Sequence, residues 1–256
     1  MKVTFLGTGT SHGVPMIGCR CPVCMSSDPR DKRWRSSILI EKDGCSVIID
    51  TGYEFRLQAI RSGIGHLDAV IYTHAHSDHL MGLDDLRVFS CSRALPVYAL
   101  EHVMDRIQGT FGYAFQSVRR ETMGLPHLDA HRLGEEESFS VGPIAFRTIP
   151  VLHGRMTAAG FRTGGFAYIP DVSDILIDRN RSVLEGLDVL AIGALREEHH
   201  PTHYSFSEAL EAVDGLGIKR ILFTHICHSS SHMGILERYH GLAEPAYDTM
   251  EISIGD

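Results

Sequence analysis

The chain has 256 residues, of which 43% are hydrophobic and 22% are charged, a globular balance that excludes disordered and coiled-coil chains. Its 24 basic and 32 acidic residues give a net charge of −8, which disfavours a generally basic nucleic-acid surface but leaves room for a local basic patch. No apolar run reaches about 18 residues and the first residues already resemble a strand, so we expect a cytoplasmic protein without a membrane segment. The 16 histidines and 6 cysteines favour metal ligation over disulfides in that compartment.

Short apolar runs that end in Gly, Asp or His alternate with segments of helical period, which is typical of a layered α/β architecture. Strands are predicted at Lys2–Leu6, Ser37–Glu41, Ser46–Asp50, Ala69–Tyr72, Pro96–Ala99, Ile144–Leu152, Phe166–Ile169, Val189–Ile192, Arg220–Phe223 and Met250–Ile254. Helices are predicted at Glu54–Ser62, Glu101–Gln108, Ser173–Leu184 and Ser207–Leu216, the last capped by Ser205 or Ser207. The segment Phe111–His131 shows no regular hydrophobic period and is predicted to form a loop or lid. Without a linker-like stretch, residues 1–256 are interpreted as one domain.

Four side chains that can bind metal follow the apolar strand Ala69–Tyr72 within six positions. They are His74, His76, Asp78 and His79, and the two histidines spaced two apart project to the same side of an extended chain. Imidazole and carboxylate ligands suit Zn²⁺ or Mn²⁺, with Fe²⁺ as a third candidate. One metal with an open position needs only three protein ligands, so four in one loop predict two neighbouring metals.

This His-x-His-x-Asp-His pattern after a strand resembles the signature of the metallo-β-lactamase superfamily of dinuclear hydrolases. The resemblance continues at three later strand ends, where His153, Asp171 and His225 stand. It implies an α/β fold, a four-layer αββα sandwich with the metals at one rim of the paired sheets. It assigns one metal to His74, His76 and His153, the second to Asp78, His79 and His225, and a shared position to Asp171.

Three thiols lie close together near the N-terminus, at Cys19, Cys21 and Cys24. Such a loop, at about residues 18–25, can wrap one structural Zn²⁺ if a fourth ligand is supplied. The candidates for this fourth ligand are His228 and Cys227, which both follow His225 in the sequence. A zinc ion there would hold the N-terminal loop against the loop that carries His225.

The Gly-Thr-Gly start, the Cys-x-Cys-x-x-Cys loop and the final Thr-His-x-x-His resemble the phosphonate-pathway cyclic phosphodiesterase (PhnP-like) branch of the superfamily. That branch and the related tRNA 3′-processing nucleases place a histidine that serves the scissile phosphate just before a late helix. His203 fits this spacing and His200 is the alternative. The resemblance therefore implies a phosphodiesterase in which two metals activate one water, Asp78 and Asp171 hold the metals, and His203 acts as general acid or as a donor to a phosphoryl oxygen.

The expected substrate is a small cyclic or nucleotide-like phosphodiester. An RNA-processing endonuclease, a thioester hydrolase and a metal-stabilised small-ligand binding protein are the alternatives. The sequence leaves the oligomeric state open, with a monomer and a homodimer as the candidates. One of the two acids in the segment after the ligand loop, Asp84 or Asp85, is expected to orient a ligand histidine through a hydrogen bond.

Overall fold

The computed structural model describes residues 1–116 and 124–255. The strands are β1 Lys2–Gly7, β2 Ser37–Lys42, β3 Cys45–Ile49, β4 Ala69–Ile71, β5 Leu95–Leu100, β6 Leu128–Leu133, β7 Ser138–Val141, β8 Ile144–His153, β9 Met156–Thr163, β10 Phe166–Ile169, β11 Val189–Gly193, β12 Ile221–Thr224, β13 Glu244–Pro245 and β14 Glu251–Ser253. The α-helices are α1 Pro22–Met25, α2 Phe55–Arg61, α3 Ser77–Leu80, α4 Glu101–Phe111, α5 Ile177–Leu184, α6 Phe206–Ala212 and α7 His232–Arg238. Short 3₁₀ helices occupy Pro29–Asp31, Leu83–Phe89 and Gly112–Phe115. Within the described residues, no helix has the length and apolar character needed to cross a membrane.

The strands form two mixed sheets flanked by helices, which confirms the predicted αββα sandwich. One sheet has the order β14-β1-β2-β3-β4-β5-β6 and the other the order β13-β12-β11-β10-β9-β8-β7. In each sheet a parallel half, β3 to β6 or β10 to β13, adjoins an antiparallel half. Parallel strands end at the same edge of a sheet, so the loops that follow them lie together.

Both faces of the second sheet are buried. Successive side chains of a strand point to opposite faces, so one strand contributes to two cores. In β10, Phe166 and Tyr168 join the core between the two sheets. Ala167 and Ile169 of the same strand join a second core under the helices. This double burial explains why the strand reads as a continuous apolar run instead of an alternating one.

All ten predicted strands are present with small differences at their ends, whereas β6, β7, β9 and β13 were not predicted. β6 shows that part of the expected loop Phe111–His131 is wrong, since Leu128–Leu133 pairs in parallel with β5. Its polar outer residues, among them Asp129 and Arg132, hide the strand pattern because it lies at the edge of its sheet. The middle of that segment, residues 117–123, lies outside the described residues.

The four predicted helices are also present; α2, α5 and α6 are shorter than expected, and α4 is longer. α5 begins at Ile177 and not at Ser173, because Leu176 has a left-handed backbone (φ 49°) and Asp174 bridges to Leu152. α6 ends at Ala212 and is capped by Ser205, whose side chain accepts a hydrogen bond from the Glu208 N–H while Glu208 binds the Ser205 N–H. This reciprocal capping resolves the choice between Ser205 and Ser207.

Candidate metal centre and active-site cavity

The seven predicted metal ligands meet at one edge of the two sheets. His153 ends β8, Asp171 follows β10 and His225 follows β12, and these strands run in the same direction in one sheet. The other four ligands follow β4 of the opposite sheet. A hydrogen bond from the Ala159 N–H to the Thr73 carbonyl, 2.9 Å long, joins that ligand loop to the second sheet.

Two of the groups of three that these ligands form have the composition that the resemblance implies. Every pair of ligand atoms within a group lies within 4.8 Å. The first group is His74, His76 and His153, and the second is Asp78, His79 and His225. The structure thus gathers residues that are up to about 150 positions apart in sequence into two adjoining ligand sets.

Asp171 lies between the two groups. One of its oxygens is 3.0 Å from His79 Nε2, and the other is 3.3 Å from His225 Nε2 and 3.8 Å from His153 Nε2. The carboxylate therefore contacts imidazoles of both groups, as the predicted shared ligand must.

A buried carboxylate outside the predicted set, Asp50, orients two of these histidines. Its Oδ2 accepts hydrogen bonds from His79 Nδ1 at 2.7 Å and from the Thr73 hydroxyl at 2.8 Å, and its Oδ1 accepts from the Thr73 N–H at 2.9 Å. Because the Thr73 hydroxyl donates to Asp50, it accepts from His74 Nδ1, 3.0 Å away. His74 and His79 are thereby both held with Nε2 free to bind a metal.

The expectation that Asp84 or Asp85 would orient a ligand histidine is wrong. Asp84 instead pairs with Arg87 and accepts from the Tyr113 hydroxyl. No hydrogen bond joins Asp85 to a ligand histidine within the described part of the chain. The sequence signal that was missed is the acid at the carboxyl end of β3, next to the strand that carries the ligand loop.

Several buried polar atoms at this site have no hydrogen-bond partner, which is costly unless something else binds them. They are His74 Nε2, His79 Nε2, Asp171 Oδ2 and both ring nitrogens of His225. His153 follows the same scheme, because its Nδ1 donates to the Thr202 carbonyl at 2.7 Å and leaves Nε2 free. The donor set of imidazoles and carboxylates therefore fits a pair of divalent cations.

Electrostatics at the site favour positive charge. Burial, with the neighbouring His79, lowers the pKa of His74 well below its usual range. Burial also opposes protonation of His79, but the carboxylates of Asp171, Asp78 and Asp50 outweigh it and raise the His79 pKa. Burial opposes ionisation of Asp171, yet His225 and His79 lower its pKa well below the usual range. Asp171 therefore stays charged, and a divalent cation would compensate its charge more fully than a proton on His79 does.

His203 lies beside both ligand groups at the wall of a cavity of about 700 Å³. Its ring centre is 4.6 Å from that of His153 and 4.8 Å from that of His225, on which it stacks. The ring centre of His200 is 5.3 Å from that of His203, and His200 Nδ1 lies 3.2 Å from the Thr202 hydroxyl. The cavity is lined by His203 and not by His200, so the geometry favours the first of the two candidates.

The cysteine loop forms a separate four-residue cluster. The sulfurs of Cys19 and Cys21 are both 3.4 Å from His228 Nδ1, and Cys24 completes a set whose ligand atoms lie within 4.8 Å of one another. Cys227 lies outside this set and contacts the Ser229 hydroxyl at 3.1 Å. In the described part of the chain, His228 and not Cys227 therefore lies next to the three thiols.

The electrostatics of the cysteine cluster also suit a metal. The backbone N–H of Cys24, followed by His228, lowers the pKa of Cys21 to about 6, whereas burial raises that of Cys24 to about 11. Backbone N–H groups point at the sulfurs, as the Met16 N–H does at Cys24. A divalent cation would stabilise the thiolates against burial.

Comparison with known proteins is consistent with this geometry. The family described as a beta-lactamase superfamily domain matches residues 46–226. A crystal structure of a diphosphatase from the PhnP family is 36% identical, with 99% of this chain and 98% of that chain covered and a TM-score of 0.90. The chain belongs to the metallo-β-lactamase superfamily and, within it, to the PhnP family. The superfamily and the PhnP-family relative both support a hydrolase.

Two further relatives mark the range of similarity. An octanoyltransferase of Porphyromonas gingivalis is 35% identical over all of this chain, but the chain spans only 52% of that protein. The short form of human tRNase Z shares the fold, with 21% identity, complete coverage of both chains and a TM-score of 0.71. The chain therefore covers about half the length of the octanoyltransferase, whose activity belongs to a protein twice as long.

Proposed function

We propose that this PhnP-family hydrolase is a metal-dependent phosphodiesterase that cleaves a small cyclic or nucleotide-like phosphoester. The observation that carries the proposal is that one cavity of about 700 Å³ is lined by members of both ligand groups, by Asp171 and by His203. That volume lies within the range of roughly 300–1,000 Å³ that small-molecule sites occupy. A diphosphatase among the relatives supports phosphoryl chemistry at such a site.

The two ligand groups would each hold one divalent cation, Zn²⁺ or Mn²⁺ being the candidates, with Asp171 shared between them. Bound cations supply Lewis-acid chemistry: they activate water and neutralise charge on phosphoryl oxygens. Asp50 fixes the tautomers of His74 and His79, so those imidazoles need no reorganisation when the site is loaded. The Thr202 carbonyl does the same for His153.

His203 would bind the phosphoryl group from the side of the cavity. Burial, followed by the nearby His225, lowers its pKa to about 3, so its imidazole is neutral at pH 7. A neutral imidazole still carries one N–H, which can donate to a non-bridging oxygen that gains charge in the transition state. The surroundings of His203 therefore favour a hydrogen-bond donor over a proton reservoir.

Cys19, Cys21, Cys24 and His228 would hold a structural Zn²⁺. The loop that carries His225 already pairs with the N-terminal loop, because the Ile226 N–H donates to the Thr8 carbonyl at 2.9 Å and the Ile226 carbonyl accepts from Thr10 at 3.2 Å. His228 lies only three residues beyond His225. A zinc ion at the cysteines would fix this junction and, through it, the position of His225.

A substrate panel tests the proposed activity. Protein loaded with Zn²⁺ or Mn²⁺ is assayed with bis(p-nitrophenyl) phosphate, a nucleoside 2′,3′-cyclic phosphate, a dinucleoside diphosphate, a precursor tRNA and an octanoyl thioester. We expect hydrolysis of small phosphoesters that disappears with chelator and returns with metal. His203→Asn should lower kcat without changing metal content, whereas His200→Asn serves as the matched control.

Other outcomes of the panel would identify the alternatives. Cleavage of precursor tRNA alone would indicate an RNA-processing nuclease, and turnover of the thioester alone would indicate acyl chemistry of the kind named for the longer relative. Binding of a phosphoester without turnover of any substrate, in fully loaded protein, would indicate a binding protein. Each of these results overturns the proposal of a phosphodiesterase that acts on small substrates.

A further inference from the structure

Two residues of the cysteine cluster, Cys21 and Cys24, have the Cys-x-x-Cys spacing of thiol–disulfide pairs. Cys21 directly precedes the short helix α1, and Cys24 lies within that helix. The Cys24 N–H points at the Cys21 sulfur at 3.4 Å, and the two sulfurs lie within 4.8 Å of each other. Residues three apart in a helical turn are neighbours, and a disulfide can join cysteines whose Cα atoms are about 4.4–6.8 Å apart. A disulfide between them therefore needs little movement of the backbone.

The two sulfurs differ in their access to solvent. Cys21 is partly exposed and follows the exposed residue Arg20. Cys24 is only 4% exposed and belongs to a small apolar cluster with Val14 and Val23. A small oxidant can therefore reach Cys21 first, and the buried Cys24 lies beside it as the second thiol. An accessible cysteine next to a second one is the arrangement that favours reversible oxidation to a disulfide.

Cys21 also holds the segment that carries His228. Its sulfur lies 3.4 Å from both the Nδ1 atom and the carbonyl oxygen of His228. A disulfide consumes the thiolates of Cys21 and Cys24, and the thiolate is the form that binds metal. The cluster would then keep two ligands, Cys19 and His228, whereas a structural Zn²⁺ needs four. Oxidation would therefore release the ion together with its hold on the His228 segment.

Release of this segment reaches the active site because His225 has an unusual backbone. Its φ is +57°, a left-handed conformation that a non-glycine residue keeps only where surrounding contacts hold it. On one side of His228, the backbone of Ile226 pairs with the N-terminal loop. On the other side, the His232 N–H donates to the Asp31 carboxylate at 2.7 Å. Oxidation removes only the contact between these two, so we expect weaker metal binding in a protein that stays folded.

We propose that Cys21 and Cys24 are a site of reversible oxidation, at which hydrogen peroxide forms a disulfide that releases the structural Zn²⁺ and weakens the active-site metal centre. This proposal rests on the structural zinc site proposed above. It adds a regulatory role to that site and does not depend on which substrate the enzyme cleaves.

The chemistry balances in two steps. The peroxide O–O bond breaks as an S–O bond forms at Cys21, and the first water leaves. The Cys24 sulfur then attacks the Cys21 sulfur, so that the S–S bond forms, the S–O bond breaks and the second water leaves. The protons come from the two thiols, or from solvent where the sulfurs were bound to zinc. Two electrons pass from the thiols to the peroxide, and a dithiol reductant reverses the oxidation.

Peroxide treatment of reduced, zinc-loaded protein tests the proposal. Zn²⁺ has no redox chemistry, so the active-site ions themselves do not react. Elemental analysis should show the loss of one Zn²⁺ per chain, and peptide mass spectrometry should show a Cys21–Cys24 disulfide. Dithiothreitol with added Zn²⁺ should restore the starting state.

Competition with a chromogenic chelator measures the effect on the active site. Loss of groups that position a metal ligand typically lowers affinity about 10- to 100-fold. Since the Ile226 and His232 contacts remain, we expect the lower end, a rise of about 10-fold in the dissociation constant of the active-site metals. Thermal unfolding confirms that the oxidised protein is folded.

Variants assign the oxidation to this pair. Cys227→Ser and Cys91→Ser are the matched controls, because Cys227 contacts Ser229 outside the cluster and Cys91 is an exposed thiol elsewhere on the surface. Both should lose zinc as the wild type does. In Cys24→Ser the second thiol is missing, so peroxide should carry Cys21 on to the sulfinic acid, which dithiothreitol does not reduce.

The possible failures are distinguishable. The proposal is wrong if the wild type keeps its zinc at a peroxide dose that oxidises Cys91, or if the disulfide contains Cys19 or Cys227. An unchanged affinity of the active-site metals after zinc release would refute the regulatory role. A reduced protein that binds no zinc at the cysteine cluster removes the structural zinc site, and this proposal falls with it. The phosphodiesterase is tested separately by the substrate panel and stands in each of these cases.

Discussion

Replacing Asp50 with asparagine should weaken the metal centre although Asp50 is not a predicted ligand. Asparagine keeps the size of the side chain but offers only one acceptor oxygen. If that oxygen faces the Thr73 N–H, the amide NH₂ group faces His79 Nδ1 and forces its proton onto Nε2, the atom that should bind metal. If the amide is turned over, its NH₂ group faces the Thr73 N–H and leaves a buried donor unpaired.

The expected loss follows from these two orientations. A buried donor left without its partner costs about 1–3 kcal/mol, which corresponds to roughly 5- to 150-fold in metal affinity. Removal of groups that orient ligands typically lowers affinity about 10- to 100-fold, in agreement with this range. We therefore expect the dissociation constant of the active-site metals to rise by about 10- to 100-fold in Asp50→Asn.

Competition with a chromogenic chelator measures this affinity, and elemental analysis counts the metals that remain. Asp84→Asn is the matched control, because Asp84 lies near the ligand loop in sequence but pairs with Arg87 at the surface. Its metal affinity should equal that of the wild type. The reasoning would be refuted if Asp50→Asn bound metal as tightly as the wild type, or if Asp84→Asn weakened binding to the same degree.

Three further predictions concern the proposed catalytic histidine and the cysteine cluster. In the phosphodiester assay, His203→Asn should lower kcat by about 10²- to 10³-fold, the loss typical of a removed oxyanion donor, and His200→Asn by less than about threefold; equal effects would contradict the assignment. Elemental analysis should show one Zn²⁺ less per chain in His228→Ala but not in Cys227→Ser, and the reverse result would exchange their roles. In metal-free protein, iodoacetamide should label Cys21 at a rate that rises with pH through about 6, because the reactive thiolate forms above the pKa of the thiol. Cys24, with a pKa of about 11, should stay unlabelled at pH 7. Faster labelling of Cys24 than of Cys21 would contradict this prediction.

Only the cluster from His74 to His79 was predicted from the local pattern, whereas the resemblance to the superfamily assigned the three later ligands. The cluster from His74 to His79 directly follows the apolar residues of β4, and His153, Asp171 and His225 follow β8, β10 and β12. Strands of one sheet that run in the same direction deliver their ends to the same edge. Strand geometry therefore explains why the residues that the resemblance assigned meet at one edge.

Charges far from such patterns were harder to interpret. The Arg33-Trp34-Arg35 stretch resembles a solvated basic segment, yet Arg33 is fully buried and donates to the Thr8 hydroxyl at 2.8 Å. Its partners come from distant parts of the chain, including the Ala246 carbonyl. A burial that depends on such long-range contacts leaves no local pattern in the sequence.

The sequence by itself determined the fold class, the order of the ten main strands and the residues that can bind metal, because these follow from hydrophobic period and side-chain chemistry. Only the tertiary structure decided which acid orients the histidines and which of two candidate residues lies at each site. Asp50, His203 and His228 are distinguished from the alternative residues by their distances from the other residues of each site. Those properties exist only after the two sheets have packed together.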